Sequence, residues 1–298
     1  MDFSIDISDT CFMDMDQIRT FLGVVANNSF VEAANRLHVT QSTVSARIQR
    51  LEAYLGVTLF VRDRSGAQLT LSGQRFFRHA KSLLLTLEQA RHDIKLPNRF
   101  QASISVGARI ALWDELLPRW IGELRTLAPD ICIRSEIGFE DDLIRGLIEG
   151  RLDVSMMYTP QQSSGLQIEY LFDETLVLVT TDLDKPWPNE DYIYVDWGPA
   201  FYELHNNYYP SMERPPQVVN IGWLGVQLII SNGGSCFIPA RIANPLIHNQ
   251  TIYLVPDSKQ FRLPAYMVFQ QDSDSIVLHQ VLESLRSLAV IERHKIKN

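Results

Sequence analysis

The sequence of 298 residues lacks the short motifs of the commoner enzyme chemistries. It contains no G-x-x-x-x-G-K-[ST], no G-x-G-x-x-G after a strand, no G-x-S-x-G and no H-E-x-x-H. Its seven histidines show no metal-ligand spacing. The acidic run Glu140–Asp142 opens a predicted helix, where carboxylates suit the helix dipole without any catalytic role. These absences predict a protein that is no enzyme and holds neither a cofactor nor a metal.

Cysteines and long apolar runs are equally scarce. The three cysteines, Cys11, Cys132 and Cys236, are odd in number and far apart, which excludes a disulfide framework and suits a reducing cytoplasm. Cys132 and Cys236 lie in apolar strand-like segments and are interpreted as buried small side chains. No apolar run reaches the roughly 18 residues of a membrane span. The acidic N-terminus has no basic signal region, so we expect a cytoplasmic protein without membrane contact.

Charge is distributed unevenly along the chain, whose net charge is −8. Residues 14–96 hold 11 Lys and Arg against 7 Asp and Glu and so carry +4, whereas residues 97–298 carry −9. A basic head can neutralise phosphates while an acidic body is repelled from a duplex. The pattern therefore favours DNA binding by one end. Residues 1–13 are interpreted as an extension, or as the result of a start codon upstream of Met13 or Met15.

The segment 28–73 has the pattern of a winged helix-turn-helix. Ser29 with Glu32 is a capping-box sequence that predicts a helix from about Phe30. Thr40 is predicted to cap a second helix that runs to about Leu55. A preceding helix, Met15–Asn27, should pack behind this second helix, whose apolar stripe is Val44, Ile48, Leu51 and Leu55.

The opposite face of the second helix carries small and hydrogen-bonding side chains, which let a helix lie deep in a major groove. Arg47 and Arg50 are suited to flanking phosphates. A solvated helix face is the alternative. The residues predicted to contact DNA from this helix and its cap are Thr40, Gln41, Ser42, Thr43, Ser45, Ala46, Arg47, Gln49 and Arg50.

A short hairpin follows, with strands at 59–62 and 68–70 around a turn at 63–67. Arg62 and Arg64 would lie beside and at the tip of this wing, where an arginine can enter the minor groove or hold a phosphate. A solvated arginine pair on a loop is the alternative.

After the wing, Thr70 is predicted to cap a long helix ending near Lys95. Apolar positions beginning at Gly73 step alternately by three and four residues, the spacing of a heptad seam. Because a linker at 96–98 follows, the seam has no obvious partner in its own chain, and we predict dimerisation; packing on its own domain is the alternative. The predicted dimerisation residues are Phe76, Ala80, Leu83, Leu87, Ala90 and Ile94.

From Gln101 onward, strands alternate with helices, which predicts a parallel sheet. The first set comprises strands at 102–107, 131–137 and 154–158 with helices at 112–127 and 141–150. The second comprises strands at 176–181, 192–196, 218–221 and 237–238 with a helix at 223–230, before a strand at 265–269 and a helix at 276–288.

Ligands of such sheets bind beyond the carboxyl ends of the strands, near helix N-termini. The residues selected by this rule are Ala108, Arg109, Gly138, Phe139, Thr159, Pro160, Trp197, Gly198, Gly222 and Trp223. Arg109 could bind a carboxylate or be a solvated loop arginine. Trp197 and Trp223 could line a cleft or pack in a core or interface.

The segment from Phe30 to Gly73 closely resembles the DNA-binding domain of LysR-type transcriptional regulators, and the resemblance extends from Met15 to about Leu288. The matching residues include Ala33, Ala34, Thr40, Gln41, Ser42, Val44, Ser45, Leu51, Glu52, Leu59, Phe60, Leu69 and Thr70. The segments 105–114 and 196–201 look like the HdfR-type branch of that family.

The resemblance implies an α/β multidomain protein with a winged helix-turn-helix at 14–71, a linker helix at 72–97 and an effector-binding domain at 98–298. The effector domain is expected to resemble periplasmic binding proteins, with lobe I at about 98–160 and 266–298 and lobe II at about 161–265. The expected partners are double-stranded promoter DNA with an interrupted palindrome, a small-molecule effector, RNA polymerase, and further copies of the chain in a dimer of dimers. A regulator without an effector, a cysteine-based redox sensor, and a solute-binding protein with an unrelated head are the competing hypotheses.

Overall fold

The computed structural model describes residues 13–63, 66–94, 96–97, 99–212, 215–271 and 275–295. The chain divides into two compact units near residue 95. The first unit contains α1 Met15–Asn27, α2 Phe30–Leu37, α3 Gln41–Leu55, β1 Phe60–Asp63, β2 Gly66–Leu69 and α4 Leu71–Asp93. The predicted bounds of α1 and α3, and the predicted start of α2, are confirmed. The finer domain boundaries stay predictions.

Side-chain caps define where these helices begin. The Oδ1 atom of Asp14 accepts from the backbone N–H of Gln17 at 2.7 Å, and Oε1 of Gln17 accepts from the N–H of Asp14 at 3.2 Å, which completes a capping box. The Oγ atom of Ser29 accepts from the N–H of Glu32 at 3.3 Å. The capping box predicted for α2 has two hydrogen bonds, and the described contacts show this one, from the Glu32 N–H to the Ser29 side chain.

The wing hairpin is tighter than the sequence predicted. Its two strands are antiparallel along their whole length, and Asp63 lies opposite Gly66. Arg64 and Ser65 lie outside the described residues. The predicted turn at 63–67 was too long because Ala67 also pairs in the ladder and is 4% exposed.

An aromatic cluster forms the core of the first unit and includes the start of α4. The ring centroid of Phe21 lies 5.2 Å from that of Phe60 and 5.0 Å from that of Phe76. Ala80, one turn further along α4, is fully buried in the same core. The expectation that the apolar row of α4 has no partner in its own chain is therefore wrong for Phe76 and Ala80, because the row begins on the winged-helix core.

The second unit alternates strands and helices. Its elements are β3 Ala102–Ala108, α5 Ile110–Trp113, α6 Leu117–Leu127, β4 Ile131–Ile137, α7 Glu140–Ile148, β5 Val154–Met157, β6 Leu166–Thr180, β7 Ile193–Val195, α8 Pro199–Tyr208, β8 Gln217–Val219, α9 Gly222–Asn232, β9 Ser235–Pro239, α10 Ala240–His248, β10 Tyr253–Leu254, β11 Phe261–Gln270 and α11 Ile276–Lys295.

The main sheet is mixed, whereas the sequence predicted a parallel one. Its strand order is β10-β6-β11-β5-β3-β4, and β9 pairs with β6 as the seventh strand. The strand β3 is parallel to β4 and β5, whereas β11 is antiparallel to both β5 and β6. The long strands β6 and β11 thus run through a sheet shared by both predicted lobes. A separate parallel pair, β7 and β8, belongs to the second set of elements.

Proline and glycine positions explain most of the differences in helix content. The predicted helix 112–127 is two helices, because Pro118, which lacks an N–H, lies in the first turn of α6 and because Glu115, between the two helices, has a φ of 65°. The sequence missed α8, which begins at Pro199 after Gly198, and α10, which contains Pro245 in its interior. Helix α11 continues to Lys295, beyond its predicted end.

None of the helices among the described residues combines the length and apolar character needed to cross a membrane. The same part of the chain contains no cluster of three or more His, Cys, Asp or Glu arranged to hold a metal ion.

Candidate functional site

Helix α3 separates a buried stripe from a polar face. Val44, Ile48 and Leu51 are at most 2% exposed and fix the helix on the core of the first unit. Five of the predicted DNA-binding residues, Thr40, Gln41, Ser42, Gln49 and Arg50, are exposed, and Thr43, Ser45, Ala46 and Arg47 are half-buried. The polar side chains therefore lie away from the core, which is the arrangement a major-groove helix requires.

The start of α3 is organised by Thr40. Its Oγ1 atom accepts from the N–H of Thr43 at 3.2 Å, and it lies 2.8 Å from both the Ser42 and Thr43 hydroxyls. These three hydroxyl groups form a local network at the helix N-terminus, where unpaired backbone N–H groups favour an anion. The network holds the first turn, which carries Gln41, in one orientation.

Arg47 was predicted to contact a phosphate, but in the structure its guanidinium contacts residues of α1. Its Nη2 atom lies 2.6 Å from Oδ2 of Asp16, and Nη1 donates to Oγ1 of Thr20 at 3.4 Å. The guanidinium therefore ties α3 back to α1. A phosphate would have to share this group with Asp16, which was not foreseen because the two residues are far apart in sequence.

Glu52 positions the wing relative to α3. Its Oε1 atom accepts from the N–H groups of Leu59 and Phe60 at 2.7 and 3.3 Å. Arg62 lies in β1, but its side chain, like the whole of Arg64, lies outside the described part of the chain. The structure thus anchors the base of the hairpin at α3, and the roles of the two arginines stay predictions.

The second half of the apolar row on α4 is more exposed than the first. Leu83 is 40% and Ile94 is 84% exposed, Ala90 is exposed and Leu87 is half-buried. Water-exposed apolar side chains in a helical row favour burial against another molecule. Phe76 and Ala80 pack in the winged-helix core, whereas these four residues of the predicted dimerisation row do not belong to it.

In the second unit, the carboxyl ends of the parallel strands lie together as predicted. The N–H of Gly138 donates to the carbonyl of Ala108 at 3.2 Å, and the N–H of Arg109 donates to that of Met156 at 3.1 Å. Ala108 itself is fully buried, so its side chain offers nothing to a ligand. The ends of β3, β4 and β5 thus meet at one edge of the sheet, which is the predicted effector cleft.

Arg109 is the most informative residue of this cleft. It is 7% exposed, its Nη1 lies 3.4 Å from Oε2 of Glu140, and its guanidinium lies 4.5 Å from the ring centroid of Phe139. Its Nη2 donates to the carbonyl of Asn220 at 3.4 Å, which reaches the second set of elements. Its Nε has no hydrogen-bond partner among the described residues. The solvated-loop interpretation is therefore wrong, since this cation is buried, paired and incompletely satisfied.

Trp197 forms a wall of the core rather than a ligand-facing surface. It is 4% exposed, its Nε1 donates to the carbonyl of Phe237 at 2.9 Å, and its ring meets that of Tyr158 edge-on. A Cβ on Gly222 would come within 2.5 Å of the Trp197 ring, so glycine is required for this close approach. Trp223, by contrast, is 52% exposed.

The remaining cleft residues lie at the crossover. Gly198 has a φ of 103°, and a Cβ there would approach the methyl group of Thr159 to 3.0 Å. Thr159, Pro160 and Gly198 are half-buried, and Phe139 is 40% exposed. Thr159 and Gly198 are thus neighbours in space, although they lie far apart in sequence.

The second unit also contains a buried charge network, formed by Arg241, Glu174 and Tyr158, that the sequence did not reveal. Nη2 of Arg241 contacts Oε1 of Glu174 at 2.6 Å and donates to the carbonyl of Ala111 at 2.6 Å; Nη1 of Arg241 donates to the carbonyl of Asp114. The hydroxyl of Tyr158 donates to Glu174 at 3.3 Å. Burial, and then the Glu174 carboxylate, raise the pKa of Tyr158 well above its ordinary value, so the phenol stays protonated.

Two sequence signals could have indicated this network. Glu174 is a carboxylate that precedes the apolar stretch that ends β6, and Arg241 lies in the first turn of a helix, where the dipole disfavours a cation. Each position is unfavourable unless a specific partner is present. The partner could not be assigned from sequence because the two residues are far apart along the chain.

The two described cysteines differ in accessibility. Cys236 is fully buried, and burial raises its pKa to about 12. Cys132 is half-buried on β4, and Cys11 lies outside the described residues. A thiol reacts as the thiolate, so Cys236 is held in an unreactive form.

Two family models match the chain and together cover almost all of it. Residues 15–74 match the bacterial regulatory helix-turn-helix protein, lysR family, and residues 97–289 match the LysR substrate binding domain. The chain belongs to the LysR family of bacterial regulators. A curated LysR-family relative, the HTH-type transcriptional regulator HdfR of Yersinia pestis (strain Pestoides F), is 30% identical over 285 residues, covering 91% of this chain and 96% of HdfR.

Solved structures of LysR-family members show the same fold. The crystal structure of CbnR, a LysR family transcriptional regulator, aligns with a TM-score of 0.66 at 20% identity and covers 93% of this chain and 99% of CbnR. Full-length CbnR complexed with its target DNA aligns with a TM-score of 0.67 at 21% identity, covering 93% and 100% of the two chains. The predicted combination of a helix-turn-helix unit with a two-lobed α/β unit is confirmed.

Membership of the LysR family makes this protein a transcriptional regulator with a DNA-binding unit and an effector-binding unit. The family is a class of regulators and not of enzymes. The resemblance to HdfR-type regulators that the sequence indicated is confirmed by the curated relatives.

Proposed function

We propose that this LysR-family regulator binds an interrupted palindrome in promoter DNA by inserting α3 into the major groove. The observation that carries the proposal is the polar face of α3, with Gln41, Gln49 and Arg50 exposed on a helix whose opposite stripe is buried. The wing arginines Arg62 and Arg64 would hold adjacent phosphates or the minor groove. CbnR, which shares this fold, was solved with its target DNA.

The proposed active form is a homotetramer, a dimer of dimers, in the cytoplasm. Support comes from the exposed part of the α4 row, which two chains could bury against each other. Two α3 helices in a dimer would then face two half-sites of a palindrome, because two-fold protein symmetry matches two-fold DNA symmetry. Bound tetramers would act on transcription at a nearby promoter through RNA polymerase.

The effector would bind in the cleft of the second unit, near Arg109 and Phe139. Arg109 is buried, has a free Nε among the described residues and lies beside an aromatic ring. This arrangement favours a small molecule with a carboxylate or another hydrogen-bond acceptor, although Glu140 already pairs with the guanidinium. A redox mechanism through Cys236 is less well supported, because burial raises its pKa to about 12.

Genome-wide mapping of bound DNA would test the DNA-binding proposal. The wild type should give discrete peaks that share an interrupted palindrome, and a double variant, Gln41→Ala with Arg64→Ala, should lose them. The matched control is Gln217→Ala with Arg145→Ala, which makes the same changes at exposed positions of the second unit. Peaks that survive in the first double variant would contradict the placement of α3 and the wing.

Thermal denaturation across a metabolite panel would test the effector proposal separately. A ligand of the cleft should raise the midpoint of the wild type by mass action and should not raise that of Arg109→Gln or Phe139→Ala. A regulator without an effector would show no specific shift with any metabolite. A shift that both variants retain would place the ligand elsewhere.

A further inference from the structure

A cavity lies in the second unit, between α8 and the strand pair β7–β8. Its volume is about 520 Å³, within the range of small-molecule sites. The lining includes Tyr194 of β7, Tyr202 and Asn206 of α8, Asp196, Met212 and Val218. Arg109, Phe139 and Trp223 are not among the described residues that line it, whereas Gly198 of the predicted effector cleft is, so the cavity adjoins that cleft without including its arginine.

Tyr194 supplies the feature that requires an explanation. The residue is 6% exposed, and its hydroxyl is buried without a hydrogen-bond partner among the described residues. Its ring stacks on Phe201, with centroids 5.7 Å apart, and meets Tyr202 edge-on. Buried hydroxyls are almost always paired, because an unpaired one loses its hydrogen bonds to water without compensation.

The surroundings of the hydroxyl connect it to the cavity. Burial, and then the charge of Asp196 and the nearby Tyr202, raise the pKa of Tyr194 above its ordinary value. Both of these neighbours line the cavity. The phenol therefore stays protonated, beside the lining groups, as a hydrogen-bond donor without an acceptor.

The other lining groups restrict the kind of ligand. Asp196 is exposed, and its Oδ1 accepts from the N–H of Gly198 at 2.9 Å, which fixes a carboxylate at the cavity. This charge attracts a cation and repels an anion. Tyr202, Met212 and Val218 offer aromatic and apolar surface that suits a planar ring.

We infer that this cavity is a second ligand site that binds a small alkylamine. This amine would carry an aromatic ring and a hydroxyl or another hydrogen-bond acceptor. The ammonium group would pair with Asp196, the ring would lie against Tyr202 and Val218, and the acceptor would take the hydrogen bond of Tyr194. The inference does not depend on the effector cleft, since Tyr194 and Asp196, which carry it, are not among the residues proposed to hold the effector; Gly198 lies at both sites.

The test measures binding of tyramine, 5-hydroxytryptamine and histamine to the full chain by ligand-observed NMR and calorimetry. Matched probes are phenethylamine, which lacks the hydroxyl of tyramine, and 4-hydroxyphenylacetate, which replaces its amine by a carboxylate. At least one of the amines should bind, and 4-hydroxyphenylacetate should not. If tyramine binds, phenethylamine should bind roughly 10-fold more weakly, as expected for one lost hydrogen bond.

Isosteric variants locate the site. Tyr194→Phe and Asp196→Asn should each weaken the amine by roughly 10-fold. Tyr194→Phe should leave the thermal midpoint of the unliganded protein unlowered, since the hydroxyl has no partner to lose among the described residues. Arg109→Gln should leave amine binding unchanged and remove only effector binding in the cleft.

Three results would overturn the inference. The first is that none of the three amines binds, and the second is that binding is insensitive to both Tyr194→Phe and Asp196→Asn. The third is loss of amine binding in Arg109→Gln with retention in Tyr194→Phe, which would place the amine in the cleft. The proposal for DNA binding is unaffected by any of these results.

Discussion

The first unit and the second unit place their candidate functional side chains in opposite ways. On α3, Gln41, Gln49 and Arg50 are exposed, while a separate stripe holds the helix on its core. In the cleft of the second unit, Arg109 is buried and paired, and Trp197 is part of the core. In the first unit, the proposed base-contacting residues are therefore distinct from the residues that hold the helix on its core, whereas in the second unit the proposed ligand site includes buried, packed residues.

The difference follows from the shapes of the partners. A duplex is a large convex rod, so its reader must present side chains outward from a convex helix. A small molecule must be surrounded, so its site is built from side chains that also line the interior. Substitution of the exposed residues Gln41, Gln49 or Arg50 should therefore affect DNA binding alone, whereas substitution of Arg109 should affect both ligand binding and stability.

The largest expected effect is loss of the buried charge pair. Glu174→Ala leaves Arg241 without its carboxylate and should lower the unfolding free energy of the second unit by about 3–5 kcal/mol. Urea denaturation followed by tryptophan fluorescence measures this unit alone, since all five tryptophans lie after residue 97.

The control for that variant is Lys185→Ala, which removes an exposed ion pair with Asp191 and should leave the midpoint unchanged. Glu174→Ala combined with Arg241→Met should recover part of the lost stability, because no unpaired charge then remains buried. An unchanged midpoint in Glu174→Ala would show that the network does not hold the second unit together.

A smaller effect is expected from the reading helix. Gln41→Ala should weaken binding to the specific operator by about 1–3 kcal/mol, because one base-edge contact is lost. The tryptophan-monitored midpoint should stay at the wild-type value, since Gln41 is exposed in the other unit. Quantitative gel shifts on operator and on unrelated DNA measure the effect, and equal losses on both would argue against base contact by Gln41.

A contact to phosphate should be weaker and independent of sequence. Arg64→Ala should reduce the slope of log K against log salt by about one, because one fewer counterion is released. Fluorescence anisotropy gives the slope when affinity is measured between about 50 mM and 200 mM salt, a range over which DNA affinity depends strongly on the salt concentration. A slope equal to that of the wild type would remove Arg64 from the DNA interface.

The smallest effect concerns the buried thiol. Because the pKa of Cys236 is raised to about 12, its thiolate fraction stays very small at neutral pH and increases only as the pH approaches that value. Iodoacetamide at pH 8 should modify Cys236 only after unfolding, as followed by mass spectrometry of the native and urea-treated protein. Rapid modification of Cys236 in the folded protein would support the redox alternative.

Local signals explain what could be predicted of the first unit. Caps at Ser29, Thr40 and Thr70 and a glycine stop at Gly56 gave helix ends that the structure confirms, because capping involves residues only a few positions apart. The tie between Arg47 and Asp16 was missed because it joins two helices.

Prediction of the second unit was correct for the carboxyl ends of the strands. It placed the starts of β6 and β11 too late, at 176 and 265, and it missed β10. The rule that ligands bind beyond strand ends brought Ala108, Arg109 and Gly138 to one place, as the structure shows. It could not separate a buried wall such as Trp197 from an exposed surface such as Trp223, since both follow strands in the same way.

The sequence by itself determined the family, the winged helix-turn-helix, the polar face of α3 and the position of the strand ends, because these depend on periodicity, caps and motifs within short segments. Tertiary structure alone decided the mixed sheet, the pair of Glu174 with Arg241, the burial of Arg109 and the cavity beside Tyr194. Each of these depends on which distant segments meet, and pairing between distant segments is set by the packing of the whole core.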